Sequence, residues 1–218
     1  DNTTVTKSSP VLLGNQFLNT GTIIPTRINF GANSWVAVSV GQSYSIAKRN
    51  DGTVWAWGLN TVGQFGDSST ITKSSPVQIG SASFNIISAG FSHSGVTNNL
   101  SLLYTTGLGS SGQLGINDTL NRSSPTLVGG QFNTATNSPV LVDSNSWSSV
   151  SAGTSISAAI RSNSVLYTWG LNNLGQLGLG NTVLRSSPTV VPTNSWTTIS
   201  VGQSFMLALD ITNKLFAW

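Results

Sequence analysis

WVAVSVGQSYSIAKRNDGTVWAWGLNTVGQFGDSSTITKSSPVQI, residues 35–79, holds in one pass every feature that the rest of the chain repeats. Val36 to Val40 alternates apolar and small residues, the pattern of a half-buried strand. Tyr44 to Lys48 reads as a second strand. Asn50-Asp51-Gly52 between them and the next run is a hairpin turn, because Asp-Gly accepts the positive φ that such turns need. Thr53 to Trp57 is a third strand, and Ser75 to Ile79, beyond a Gly-rich loop, is a fourth. No useful window shows a helical period.

Outward from this stretch, four markers recur in fixed order, and self-similarity of this kind signals a repeat architecture. A basic residue precedes Ser-Ser-Pro at Lys7, Lys73, Arg122 and Arg185. An aromatic follows Ser at Trp35, Phe84, Trp147 and Trp196. A Gly stands two residues before a Ser at Gly41, Gly90, Gly153 and Gly202. An aromatic strand ends in Gly as WAWG (Trp55 to Gly58), YTTG (Tyr104 to Gly107) and YTWG (Tyr167 to Gly170), and breaks off as FAW at Phe216 to Trp218. All seven tryptophans fall on these markers, so each is read as core. Three copies continue as GLNTVGQFG, GLGSSGQLG and GLNNLGQLG, whose glycines permit tight turns between third and fourth strands.

The spacing adds a second period. Trp35 to Phe84 is 49 residues, Phe84 to Trp147 is 63, and Trp147 to Trp196 is 49. Units with a long lead-in alternate with short ones, as duplication of a two-unit block would leave them. The two long lead-ins, Gly14 to Asn33 and Gly129 to Asn145, resemble each other.

The order W-x-x-[VI]-S-x-G, x-x-S, D-G-x-V-W-x-W-G, N-x-x-G-Q-[LF]-G, S-S-P resembles the regulator of chromosome condensation repeat. The resemblance implies an all-β fold: β-propeller blades of four antiparallel strands, arranged in a ring usually of seven. About four blades are present across 1–218, as units 1–34 (partial, with insertion), 35–83, 84–146 (with insertion), 147–195 and 196–218 (partial). Trp35, Trp57, Gly58, Trp147, Trp169, Gly170, Trp196 and Trp218 are its structural repeat residues. An arc of four such units would leave an apolar face and a strand edge open. The chain is therefore expected to be part of a larger ring, completed by further chain or by another copy. It opens at Asp1 without a Met or a signal peptide, so a processed product or a piece of something longer is expected.

Charge narrows the function. Lys, Arg and Asp make up only 7% of the residues, with no Glu, against about 25% in a typical soluble domain. The net charge is +3, but the nine basic residues are spread out, and phosphate binding needs several on one face. Nucleic acid is therefore not an expected partner. Lys48 and Arg49, the one adjacent pair, are read as a solvated turn. There is no Cys and no apolar run of membrane-spanning length. Ser, Thr, Asn and Gly take the surface role of charges, as in secreted, surface-layer or virion proteins.

Chemistry-bearing residues are sparse. The one His, His93, aligns with Tyr44, Ile156 and Phe205, so it is read as a strand residue rather than a catalyst. General acid–base work needs a positioned titratable pair, and the six Asp are scattered. Asp67 and Asp118 supply one carboxylate per loop, too few for calcium. The Gly-rich loops lack the Lys of a phosphate loop. No enzyme activity, metal or cofactor is expected. The basic residue before each Ser-Ser-Pro either forms a ring of charge or bonds carbonyls of a neighbouring loop. The leading expectation is a structural or adhesive propeller that binds proteins, in a virion such as a bacteriophage capsid or tail, or on a cell surface. The long lead-ins would touch partners, with Phe17, Arg27, Phe132 and Asn133 as contact candidates, or would be extra edge strands. The alternatives are an exchange factor for a small GTPase or a chromatin-associated propeller, and a secreted protein inhibitor.

Overall fold

A computed structural model describes residues 34–128, 146–192 and 194–218. Among them are fifteen strands and no helix. The first sheet is β1 (Trp35–Val40), β2 (Tyr44–Arg49), β3 (Val54–Gly58) and β4 (Lys73–Gln78); the second is β5 (Phe84–Ala89), β6 (His93–Asn98), β7 (Leu103–Gly107) and β8 (Arg122–Leu127). The third is β9 (Trp147–Ala152), β10 (Ile156–Arg161), β11 (Leu166–Gly170) and β12 (Arg185–Val190); the last has β13 (Trp196–Val201), β14 (Met206–Asp210) and β15 (Leu215–Ala217). Every sheet is an antiparallel meander with its strands in chain order. The first strands β1, β5, β9 and β13 contact one another in series, so they lie nearest a common axis. This is the arrangement of propeller blades, and the arc they form is not a closed ring.

Strand bounds match the sequence expectation to within one residue for the first three strands of the 35–79 unit and shift further at the fourth. The fourth strand begins at the basic residue, two positions before Ser75, because Lys73 pairs opposite Gly58. The ladder then skips between Ala56 and Gly58, and the same skip recurs at Gly107 and Gly170. The irregularity absorbs Pro76, Pro125 and Pro188, which have no N–H to give; Pro is confined to such edge strands and bulges.

The second, third and last sheets each bury one face on their predecessor. Phe84, Trp147 and Trp196 are all buried, Phe84 among Val54 and Ile79, Trp147 among Leu103 and Val128, and Trp196 among Leu166 and Val191. A buried aromatic of this size dominates local energetics. The reading of all seven tryptophans as core needs correction. Trp147, Trp169 and Trp196 are buried, but Trp35, Trp55, Trp57 and Trp218 are only half-buried. Trp35 and Trp57 occupy positions whose cover is the preceding sheet, and β1 has none among the described residues.

Candidate interaction surfaces and the chemistry between the blades

The interfaces between sheets are polar as well as apolar, and they repeat. Ser39 Oγ accepts the Ala89 N–H at 2.9 Å, Ser88 Oγ accepts that of Ala152 at 3.1 Å, and Ser151 Oγ accepts that of Val201 at 3.1 Å. These are the serines of the V-S-x-G and I-S-x-G marker, so one hydroxyl per sheet stitches each first strand to the next. The marker glycines lie closer still. A Cβ on Gly41, Gly90 or Gly153 would stand 2.3–2.5 Å from the carbonyl oxygen of the next glycine in the series. No side chain fits there, which is why the position is Gly.

The Gly-rich loops carry their own order. Gln64, Gln113 and Gln176 fold back so that Oε1 accepts the N–H two residues earlier, at 2.8–3.1 Å. Asn60 and Asn172 accept the N–H of Phe65 and Leu177, and donate to carbonyls across the loop at Ser69 and Asn181. Gly109 replaces this Asn in the second unit, where its own N–H donates to Asn121 Oδ1. The loops are held by amide side chains rather than shaped around an anion. Gly63 packs on Ser123 and Gly112 on Ser186, so each loop leans on the fourth strand of the next sheet.

His93 sits wholly inside the interface of the second and third sheets. Its Nε2 is 2.8 Å from Ser157 Oγ, and that hydroxyl donates to the Gln113 carbonyl at 2.9 Å. The one hydroxyl proton is thus committed, so Nε2 is the donor and Nδ1 carries a lone pair. Nδ1 has no hydrogen-bond partner, and burial lowers the His93 pKa to about 4. One sheet earlier Tyr44 fills the same position and donates to the His93 carbonyl at 2.5 Å; burial pushes its phenol well above the ordinary value.

The described carboxylates are all engaged in turns and loops. Asp51 accepts from Thr53 Oγ1 and N, which holds its carboxyl below the ordinary range. Asp210 accepts from the Lys214 and Thr212 N–H groups, with the same effect. Asp67 accepts from Asn60 and Ser69, and Asp118 pairs with Arg122 at 2.5 Å. No group of three His, Cys, Asp or Glu could hold a metal among the described residues. No helix there is long and apolar enough to cross a membrane.

The basic positions part company. Arg122 bonds Asp118 and the Asn121 carbonyl within its own loop. Lys73 and Arg185 stand at the same register as Arg122, opposite Gly58 and Gly170. The solvated-turn reading of Lys48 and Arg49 is corrected: both end β2, Lys48 donates to the Asn85 carbonyl of the next sheet at 2.9 Å, and Arg49 stacks on rings. The Arg49 guanidinium carbon lies 4.8 Å from the Trp35 ring centre and 4.4 Å from that of Trp55. Arg161 repeats this between Trp147 and Tyr167, at 4.8 and 4.6 Å. Phe17, Arg27, Phe132 and Asn133 lie outside the described residues, as do Lys7 and both long lead-ins.

The model of the regulator of chromosome condensation (RCC1) repeat matches residues 51–96, 102–160 and 164–209, and a second model of the same repeat matches 35–64. The chain belongs to this family. No curated protein sequence matches it. Among solved structures, human WBSCR16 is similar over 85% of this chain and 47% of its own, at 19% identity and a TM-score of 0.72. Prp20p from Saccharomyces cerevisiae covers 87% of this chain at 18% identity and a TM-score of 0.74, and yeast RCC1 (Prp20) bound to Kap60 gives 88%, 18% and 0.73. At such identities the likeness is one of fold. The chain spans a little under half the length of these RCC1-repeat propellers.

Proposed function

We propose that this RCC1-repeat arc is a non-enzymatic scaffold that binds proteins, working on a cell surface or in a virus particle. The observation that carries the reading is the employment of its reactive groups. The one histidine is sealed between two sheets, and the described carboxylates hold turns and loops. What the blades offer to solvent is a frame poor in charge, with Ser, Thr, Asn and Gly prominent and apolar side chains such as Val38 and Leu215 at the ends of the arc. Binding residues on such frames concentrate in loops. The lead-ins at Gly14 to Asn33 and Gly129 to Asn145 precede β1 and β9 in sequence, and they are the proposed contact regions. Low charge together with abundant Ser, Thr and Asn supports a place outside the cytosol.

Immunogold labelling with an antibody to the chain should decorate virus particles or the cell surface. Label confined to cytosol or chromatin would overturn the location. Deleting residues 129–145 should abolish attachment with the thermal unfolding midpoint unchanged, and retained attachment would overturn the role of that segment. The second reading, an exchange factor or chromatin-associated propeller, rests on family membership. The yeast relative was studied for binding to Gsp1p and histones. Accelerated nucleotide release from a small GTPase would favour it over the scaffold.

A further inference from the structure

The stacked arginines mark a position that the second sheet leaves empty. Arg49 and Arg161 pair across their sheets with Trp35 and Trp147. At the same register the second sheet has Asn98 opposite Phe84, with Tyr104 in place of Trp55 and Tyr167. Asn98 does not reach out between the rings. Its Oδ1 turns back to accept the N–H groups of Leu100 and Leu102 at 3.0 and 2.9 Å. A second replacement lies below. Trp169 and Trp218 press their indoles on Gly115 and Gly178 of the preceding loop, but Thr106 stands at that place in the second sheet and meets Gly66 with one methyl. Where a Trp, an Arg and a second Trp are exchanged for Phe84, Asn98 and Thr106, a groove of about 360 Å³ opens between the first two sheets. Phe84, Asn98 and Tyr104 line it, with Gly66 and Asp67 from the loop opposite.

We propose that this groove receives an arginine side chain of a partner protein. The chain shows twice what fits at these ring positions: a guanidinium whose carbon lies over two aromatics set nearly perpendicular to each other, about 4.4–4.8 Å from their centres. Arg suits the place better than Lys because its planar, weakly hydrated cation stacks on rings while one of its N–H groups donates to a carboxylate. Asp67 supplies that carboxylate. The Ser69 N–H and hydroxyl and one Asn60 N–H take three of the about four lone-pair sites of a carboxylate, which leaves room for one further donor. Lys48, the cation held on the Asn85 carbonyl beside Phe84, does not line the groove. The site deepens the scaffold reading and rests on it, since it supplies a single side-chain anchor of the kind that dominates protein interfaces.

The test uses Nα-acetyl-arginine amide as the probe and its citrulline counterpart as the control. Citrulline keeps the shape and lacks the charge. Titration of the ¹⁵N-labelled chain should give saturable amide shifts at Gly66, Phe84, Asn98 and Tyr104 with the arginine probe, and roughly fivefold weaker binding of citrulline. Asn98→Arg should abolish binding, because its own guanidinium takes the place between the rings. Should that variant fail to fold for want of its turn cap, Tyr104→Leu removes one ring and should weaken the arginine probe toward the citrulline level. Equal binding of the two probes, shifts centred elsewhere, no saturable shift, or an unaffected Tyr104→Leu variant would each overturn the site. A negative titration leaves the scaffold reading intact, because the segment deletion and the labelling test that independently.

Discussion

A neutral imidazole buried with an unpartnered lone pair at Nδ1 ties the stability of this chain to pH. In the unfolded chain His93 titrates near its ordinary value of about 6.5. In the folded chain burial holds it to about 4. Between these values the unfolded state binds the extra proton, so stability falls as pH falls from 6.5 toward 4 and is fully present above that window. The lost contribution is on the order of 3 kcal/mol at the acid end. Urea unfolding of the native chain should show that fall between pH 7 and pH 4. A His93→Phe variant, matched to the Phe205 position of the last unit, should show a much flatter profile whatever its absolute stability. Parallel profiles for the two would sink the assignment. The residue scale was half legible in sequence. Alignment placed His93 on a strand, but the proton on Nε2 follows from Ser157 and Gln113, which come from another sheet and a distant loop.

Each blade is a four-strand meander, yet what gives it a fixed place is the loop it extends over its neighbour. Gly63 and Gly175 test this, because they share a repeat position and a backbone conformation, with φ of 82° and 80°. A Cβ on Gly63 would meet Ser123 Cα at 2.5 Å, whereas one on Gly175 meets nothing within 4 Å. Alanine at either site incurs the left-handed cost of about 1–2 kcal/mol. Gly63→Ala should lose about 1–3 kcal/mol beyond Gly175→Ala, from crowding against β8. Matched urea midpoints for the two variants would mean that the loop–strand contact contributes little. The strands and loops themselves were legible because hydrophobic alternation, Asp51-Gly52 and the GQ[LF]G strings are local signals. The Asn and Gln scaffolding inside the loops was not, since Asn60 and Gln64 look like ordinary polar loop residues until their partners are known. The arginine–aromatic clusters were hidden for another reason. Arg49 sits next to Lys48 and reads as a charged turn, while its stacking partners, Trp35 and Trp55, lie on the two strands flanking β2. Setting the four units side by side at Trp35, Arg49 and Trp55 would have exposed both the cluster and the second unit's departure from it.

At the scale of the molecule, both ends of the arc formed by the described residues present apolar side chains to solvent. Val54, Leu103 and Leu166 are each 0% exposed, covered by the next sheet, but Leu215 at the same position of the last sheet is 66% exposed. Phe205 is 53% exposed where Tyr44, His93 and Ile156 are buried. At the opposite end Val38 and Val40 are 73% and 70% exposed, on the strand whose counterparts β5, β9 and β13 pack on a preceding sheet. An apolar patch of this kind on a repeat array marks a surface that a further repeat covers. The reading of a larger ring, drawn from the repeat count, therefore agrees with where the hydrophobic residues lie. Each newly covered Leu or Val would contribute about 1.5–3 kcal/mol. The 218-residue chain by itself should then associate through these faces, and sedimentation velocity should show its mass rising with concentration. Val38→Lys combined with Leu215→Lys places an ammonium on each face without touching a described core contact. The pair should weaken association at least roughly tenfold, with an unchanged far-UV spectrum. Association that persists in the double variant would place the sticky surface elsewhere, and a native chain that stays monomeric at every concentration would remove the case that these faces seek a partner.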